Sequence, residues 1–359
     1  MYFGMRSLRR GLLAGVALAV AAGIGSGAQA QDKQKITVLF PNENTTTLYP
    51  NIVSRELGFC EQEGIEVEVL SSETTVPYVA FLSNGQADVV MLDAPQTFQA
   101  VNTGQPVSVV YEGMQYAPEA IGVNAESDVQ SVKDLKGKTV GLASDRDRAT
   151  LSIFLDAEGL TIDDVQTVVV GDAGPTLAAG IKDQTVDAIS AGLNDFATLE
   201  GFGLKIRDIT PPEVSNNPAN SFVVWNDRKE ELRPVLEKYF RCWTKGNHVG
   251  EIDRDVVAAI MRESNPEEWE IESAGQVLLD HSLKFNNSQT EKTGDLQPDV
   301  WQKIQAPYVK HGMIDKEIDP ATFLDDFIID AANDFDDAEV KEAVEKWKAE
   351  NPDKMKPKS

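Results

Sequence analysis

Apolar runs separated by polar, Gly-broken turns fill residues 35–226, and their order is used twice. KITVLF (35–40) reads as a strand, and the stretch ending ELGFCEQEG (56–64) as a helix with its turn. IEVEVL (65–70) is a second strand, and the helix-like VPYVAFLSNGQ (76–86) leads into ADVVMLD (87–93). The plan restarts at Lys138: KTVGLAS (138–144), LSIFLDAEG (151–159), VQTVVV (165–170), then GPTLAAGIKDQ (174–184) leading into TVDAISAG (185–192). Asp88 and Asp187 hold equivalent places at the start of the last strand of each copy. Val- and Ile-rich runs with little alternation are what strands covered on both faces look like. Strand–helix–strand–helix–strand used twice predicts two similar α/β lobes, and two facing lobes enclose a cleft where a small ligand goes.

VSVVYEG (107–113) adds a strand to the first lobe, AIGVN (120–124) starts a crossing to the second, and LKIRDI (204–209) ends it. After the Pro- and Asn-rich stretch 211–220, SFVVWN (221–226) reads as a strand returning to the first lobe. Two crossings make a two-strand hinge, which permits closure while keeping the lobes in register. Beyond Asp227 the apolar positions recur at three and four residues. Leu232, Val235, Leu236, Tyr239, Phe240 and Trp243 mark one amphipathic helix over 228–246. Further helices are expected over 252–264, 266–282 with Pro266 just inside its start, 298–312 and, on the surface, 336–350. This helical third either buttresses one lobe or covers the back of both. The expected boundaries are 1–30 for a signal peptide, 31–122 for the first part of lobe 1 and 123–218 for lobe 2. Residues 219–246 return to lobe 1, and 247–359 form a helical region packed on the lobes.

The signal peptide rests on Arg6, Arg9 and Arg10 before the apolar run 11–25, closed by AQA (28–30). The Arg9-Arg10 pair loosely resembles a twin-arginine signal, Met5 is an alternative start, and no cysteine at the cleavage point invites a lipid anchor. With 33 basic against 58 acidic residues the formal charge is −25, which repels nucleic acid and anionic membranes at long range. Cys60 and Cys242 either pair, as an exported chain permits, or are two separately buried thiols. The three histidines, His248, His281 and His311, form no metal-ligand spacing. No phosphate-loop fingerprint, nucleophile elbow or Cys–His pairing stands out, so neither catalytic residues nor a metal nor a cofactor is expected.

Ligands of open α/β sheets sit outside the carboxyl ends of the strands. That rule selects Phe40, Asn42 and Glu43 after the first strand, Thr74 after the next, Asp93 and Ala94, and Tyr116. In the second copy it selects Ser144, Arg146, Arg148, Thr150, Asn194 and Asp195. Glu43, Asp93 and Asp195 favour an amine, whereas Arg146 and Arg148 favour an anion, a mixture that suits a zwitterion or a neutral heterocycle.

The ordered series ELGFCEQEGIEVEV, LSNGQADVVMLDAPQ (82–96), SVKDLKGKTVGL (131–142) and IKDQTVDAISAG (181–192) resembles the periplasmic solute-binding proteins of ABC transporters. The branch is the one serving alkanesulfonates, taurine, nitrate and thiamine or riboflavin precursors. The resemblance implies a type II periplasmic-binding-protein-like fold, with two Rossmann-like lobes, a two-strand hinge and a helical C-terminal extension. It implies a periplasmic protein that hands a small solute to an ABC permease and its ATPase; the acidic surface, in which no contiguous apolar patch is legible, makes a monomer without nucleic acid the expectation. Relatives touch the ligand at the places that here are Phe40–Glu43, Asp93–Pro95 and Ser144–Thr150. Their glycine before the duplicated aspartate is kept as Gly85, and Asp183 is read as its match in the second copy. Glu43 and Asp93 argue against a bare oxyanion, leaving nitrogenous heterocycles or aromatic carboxylates. The alternatives are an enzyme of the related thiamine-pyrimidine-synthesis type, whose cysteine-rich motif this chain lacks, and a periplasmic ligand sensor.

Overall fold

A computed structural model describes residues 33–41, 45–71, 77–145, 147–171 and 174–356; the expected signal segment lies outside them. Ten strands are named in chain order: β1 (Gln34–Phe40), β2 (Ile65–Ser71), β3 (Val89–Asp93), β4 (Val107–Glu112), β5 (Glu119–Asn124), β6 (Thr139–Leu142), β7 (Gln166–Val169), β8 (Ala188–Gly192), β9 (Ile206–Asp208) and β10 (Asn220–Trp225). They form two five-stranded sheets, ordered β2-β1-β3-β10-β4 and β7-β6-β8-β5-β9. Both sheets belong to one compact unit that begins at Lys33. In the first, β1 runs parallel to β2 and β3, and β10 is antiparallel to β3 and β4. In the second, β6 runs parallel to β7 and β8, and β5 is antiparallel to β8 and β9. Each sheet thus takes its antiparallel strand from a crossing, β5 outward and β10 back. This is the doubled α/β architecture that the chain pattern predicts, and the type II periplasmic-binding-protein-like fold that the resemblance implies.

The duplicated aspartates do the same work in both sheets. Asp88 Oδ2 accepts from Thr37 N at 2.8 Å while Asp88 N donates to Thr37 O at 2.8 Å. Asp187 Oδ2 accepts from Thr139 N at 2.9 Å while Asp187 N donates to Thr139 O at 2.8 Å. Each carboxylate fastens the start of its strand to the neighbouring one and satisfies a backbone donor at the sheet margin. The turn ahead of them departs from expectation. Gly85 is left-handed, at φ +67°, but its counterpart is Gln184 at φ 54°, not Asp183. The second turn is as constrained as the first and carries a side chain where glycine is preferred.

Helices cover both faces of each sheet. On β1, Ile36, Val38 and Phe40 pack into one cluster with the 24-residue helix Lys229–Ile252, and Leu39 packs into the opposite one with helix Ala94–Asn102. The first cluster is stapled by a disulfide between Cys60 and Cys242, whose Cα atoms are 5.0 Å apart. The helical third joins the first sheet's core through Trp243, Met261, Trp301 and Val344, and it also reaches the second sheet's helices. Helix Glu272–Asn286 lies against helix Leu193–Gly201 so closely that a Cβ on Gly201 would overlap Ala274. At the end of helix Pro298–Lys310, Lys310 Nζ and His311 Nε2 both meet Asp156 Oδ2 at 2.6 Å. The expected single helix over 266–282 is broken. Pro266–Trp269 forms a 3-10 turn capped by Asn265, and the extended residue Ile271 lets the Trp269 ring fold back onto Gly275. Burial of that indole outweighs an unbroken run of helical hydrogen bonds.

Candidate functional site

The two crossings are hydrogen-bonded to each other. Met114 N donates to Asn220 O at 2.9 Å, Ala219 N to Met114 O at 2.9 Å, and Ala117 N to Ser215 O at 2.8 Å. Cavities open on either side of this ribbon. One, of about 500 Å³, is bounded by Asp93 and Ala94 at the end of β3 and by Asp147 and Thr150 at the start of helix Asp147–Ala157. Glu119 and Tyr308 complete it. A second, of about 410 Å³, lies between Pro41 after β1, Asp195 after β8, and His281 and Phe285 of helix Glu272–Asn286. Pro118 and Asn220 line both, so the ribbon is their common wall. A smaller cavity of about 180 Å³ lies against Tyr116, Glu119 and Phe196.

Local hydrogen bonding accounts for two of the three carboxylates in the largest cavity. Asp93 caps helix Ala94–Asn102, its Oδ1 accepting from Gln96 N at 2.7 Å while Gln96 Oε1 accepts from Asp93 N at 3.1 Å. Asp147 Oδ2 accepts from Ser144 N at 2.6 Å and from the Ser144 hydroxyl at 3.1 Å. Among the described residues, Glu119, at the first position of β5, has only its own backbone N–H as a donor. Burial, with the charges of Asp93 and Asp147, pushes its carboxyl up to about 7. Burial and the carboxylates of Glu119 and Asp93 also raise Tyr308, which therefore stays a neutral hydroxyl. In the neighbouring cavities, burial lowers His281 and favours its neutral ring.

Of the residues predicted from the strand ends, Asp93, Ala94 and Thr150 meet in the largest cavity, Asp195 lines the second and Tyr116 the smallest. Phe40 is a correction: it is 0% exposed, stacked on Trp243 at 5.9 Å and edge-on to Phe222, because alternation along β1 turns it into the core. Ser144 is held by Asp147 and lines none of these cavities. Arg148 is engaged elsewhere, with Asp145 Oδ1 at 3.0 Å and the Thr167 hydroxyl. Asn42, Glu43, Thr74 and Arg146 lie outside the described residues, as does the side chain of Asn194. Reading the strand ends missed Glu119, Tyr308, His281 and Phe285. Glu119 leaves one signal in sequence, a charge beside Pro118 at the head of an apolar crossing strand. The other three come from the helical third, which strand-end reasoning does not reach. Among the described residues, no group of His, Cys, Asp and Glu could hold a metal, and no helix is long and apolar enough to cross a membrane.

The NMT1/THI5-like family model matches residues 45–248. The chain belongs to the NMT1/THI5-like family. It is 25% identical over 225 residues to the riboflavin-binding protein RibY of Chloroflexus aurantiacus, covering 59% of this chain and 61% of that protein. The match thus spans less than two-thirds of that relative. Among solved structures, the periplasmic aliphatic sulphonate binding protein SsuA of Escherichia coli superposes with a TM-score of 0.62 at 13% identity, covering 80% of this chain and 96% of SsuA. The desulfurization enzyme DSZB superposes at 0.57 with 14% identity, covering 84% of this chain and 99% of DSZB. At these identities the likeness is one of fold, which binding proteins and at least one enzyme share.

Proposed function

We propose that this NMT1/THI5-like protein is an extracytoplasmic solute-binding protein. It captures a small organic solute, nitrogen-containing or aromatic, between its two sheets and delivers it to the permease and ATPase of an ABC importer. The reading places it in the periplasm as a monomer, exported by the N-terminal signal ending at Ala30. The observation that carries it is the cavity of about 500 Å³, a size suited to a small organic molecule, walled by helix starts from both sheets and floored by the paired crossings. A solute lodged there touches both sheets at once and so favours the closed arrangement. An enzyme reading finds less support, because both cysteines are joined in the core of the first sheet.

The test is a thermal-shift and small-angle scattering screen of the chain from Gln31, using flavins, aminopyrimidines, alkanesulfonates and aromatic acids. A true solute at a hundred times its Kd stabilises the folded form by about 2.7 kcal/mol and raises Tm by several degrees. It also lowers the radius of gyration. Thr150→Trp fills the cavity from the side of helix Asp147–Ala157, and is expected to abolish binding while leaving the unliganded Tm close to wild type. Full affinity in that variant would place the solute elsewhere and sink the proposal.

A further inference from the structure

Three carboxylates approach one another in the largest cavity, and they are not equivalent. Asp93 caps a helix and Asp147 holds Ser144, so both have a structural reason to be there. Glu119 has none. Among the described residues its carboxylate meets no donor on another residue, although it sits at the junction of the crossing ribbon and the second sheet and lines cavities on both sides. Burying a carboxylate without a partner is costly, and a packed core would have replaced it with an apolar side chain. Among the described residues that line this cavity, three are acidic and none is basic.

We infer that Glu119 sets the charge of the solute: the site takes a compound bearing a protonated amine or a cationic nitrogen heterocycle, whose positive charge rests on the Glu119 carboxylate. This rests on the solute-binding reading above and adds the chemical class. The position suits the role. Glu119 belongs to the hinge, so a charge bound to it lies between the start of helix Ala94–Asn102 and the start of helix Asp147–Ala157. Asp93 and Asp147 then flank the cation from opposite lobes, and their mutual repulsion is relieved when it is present. The Tyr308 ring, held edge-on by Phe98, offers an aromatic wall and a hydroxyl to the rest of the molecule.

The groups facing Glu119 are Asp93, Asp147 and Tyr308 on one side, and Glu200, Asp208, His281 and Lys284 across the smaller cavity. Acids outnumber bases in this set; burial first, and then the charges of Asp93 and Asp147, hold Glu119 partly protonated near neutrality. An incoming cation therefore displaces a proton, and affinity for it rises with pH.

The experiment presents benzene, pyridine and pyrimidine scaffolds, each as its aminomethyl, hydroxymethyl and carboxylate derivative, to the wild type, Glu119→Gln and Glu119→Asp. Affinities are read by titration calorimetry at pH 5.5 and 8. For at least one scaffold the aminomethyl member is expected to bind at least tenfold tighter than the hydroxymethyl member in the wild type, and tighter at pH 8 than at pH 5.5. Glu119→Gln is expected to erase both differences while folding with an unchanged or higher Tm, and Glu119→Asp to retain the preference. Binding with no preference for the amine, or a preference that survives in Glu119→Gln, overturns the assignment and leaves the solute-binding reading intact. If no scaffold binds and no small molecule copurifies with the protein, both fall together.

Discussion

Glu112 ends β4 as a carboxylate only 2% exposed, and it ties the first sheet to the helical third. Its Oε1 accepts from Gln297 N at 2.8 Å and from Trp301 Nε1 at 2.8 Å, and its Oε2 accepts from Gln297 Nε2 at 2.9 Å. These donors favour the ionised form, yet burial outweighs them and lifts the carboxyl from 4.5 to about 7. The folded state therefore holds this proton more tightly than the unfolded chain. The stability it contributes is complete below pH 4.5 and is lost as pH rises through 7. Over that window the loss is about 3 kcal/mol, at about 1.4 kcal/mol for each pH unit of difference between the two states. Glu112→Gln keeps the shape, removes the titration and keeps an acceptor for Gln297 N and Trp301. The Gln297 amide can turn over to meet the new NH₂. Urea unfolding followed by tryptophan fluorescence at several pH values between 4 and 8 measures the effect. The quantity to watch is wild-type minus variant stability, in which the other carboxylates cancel. It should fall by about 3 kcal/mol from pH 4.5 to above pH 7. A difference that stays flat, or that rises with pH, would show that Glu112 is ionised comfortably in the fold and would refute this account.

Three further outcomes are expected. Reducing the Cys60–Cys242 bond, which spans 182 residues, should lower stability by about 5 kcal/mol on loop-entropy grounds; equal denaturation midpoints with and without reductant would contradict it. Gln184→Gly should raise stability by about 1 kcal/mol in chemical denaturation, because it removes a side chain from a left-handed residue, whereas Asn84→Gly next to Gly85 should not. Asp88→Ala should cost more than Asp187→Ala. Both orphan a strand donor, at about 1–3 kcal/mol, but Asp88 is the more buried and also holds Arg228 at 2.8 Å; the reverse ranking by thermal melts would argue against the shared strand-fastening role.

The amino-acid order alone determined the doubled architecture. Covered strands, helix periods and turn glycines are local signals, and two chain segments obeying one local plan build two similar sheets. The aspartate before β3 and β8 was legible for the same reason, since its partner strand is set by the repeat. The outward crossing was legible as the apolar strand after Pro118, and the return crossing as a Pro- and Asn-rich break before another apolar strand. What tertiary structure decided was which side chains meet. Phe40 ends a correctly read strand, but its face is chosen by the helix that packs there. The 266–282 segment has helical periodicity, and the Trp269 pocket breaks it. Cys60 and Cys242 lie far apart in the chain, and only packing brings them within bonding reach. Glu119, Asp93, Asp147 and Tyr308 come from four separate segments. Each alone reads as an ordinary polar or aromatic residue, because an electrostatic environment is a sum over everything nearby. Desolvation and like charge arise only when the crossing strand, two helix starts and a C-terminal helix close around one space.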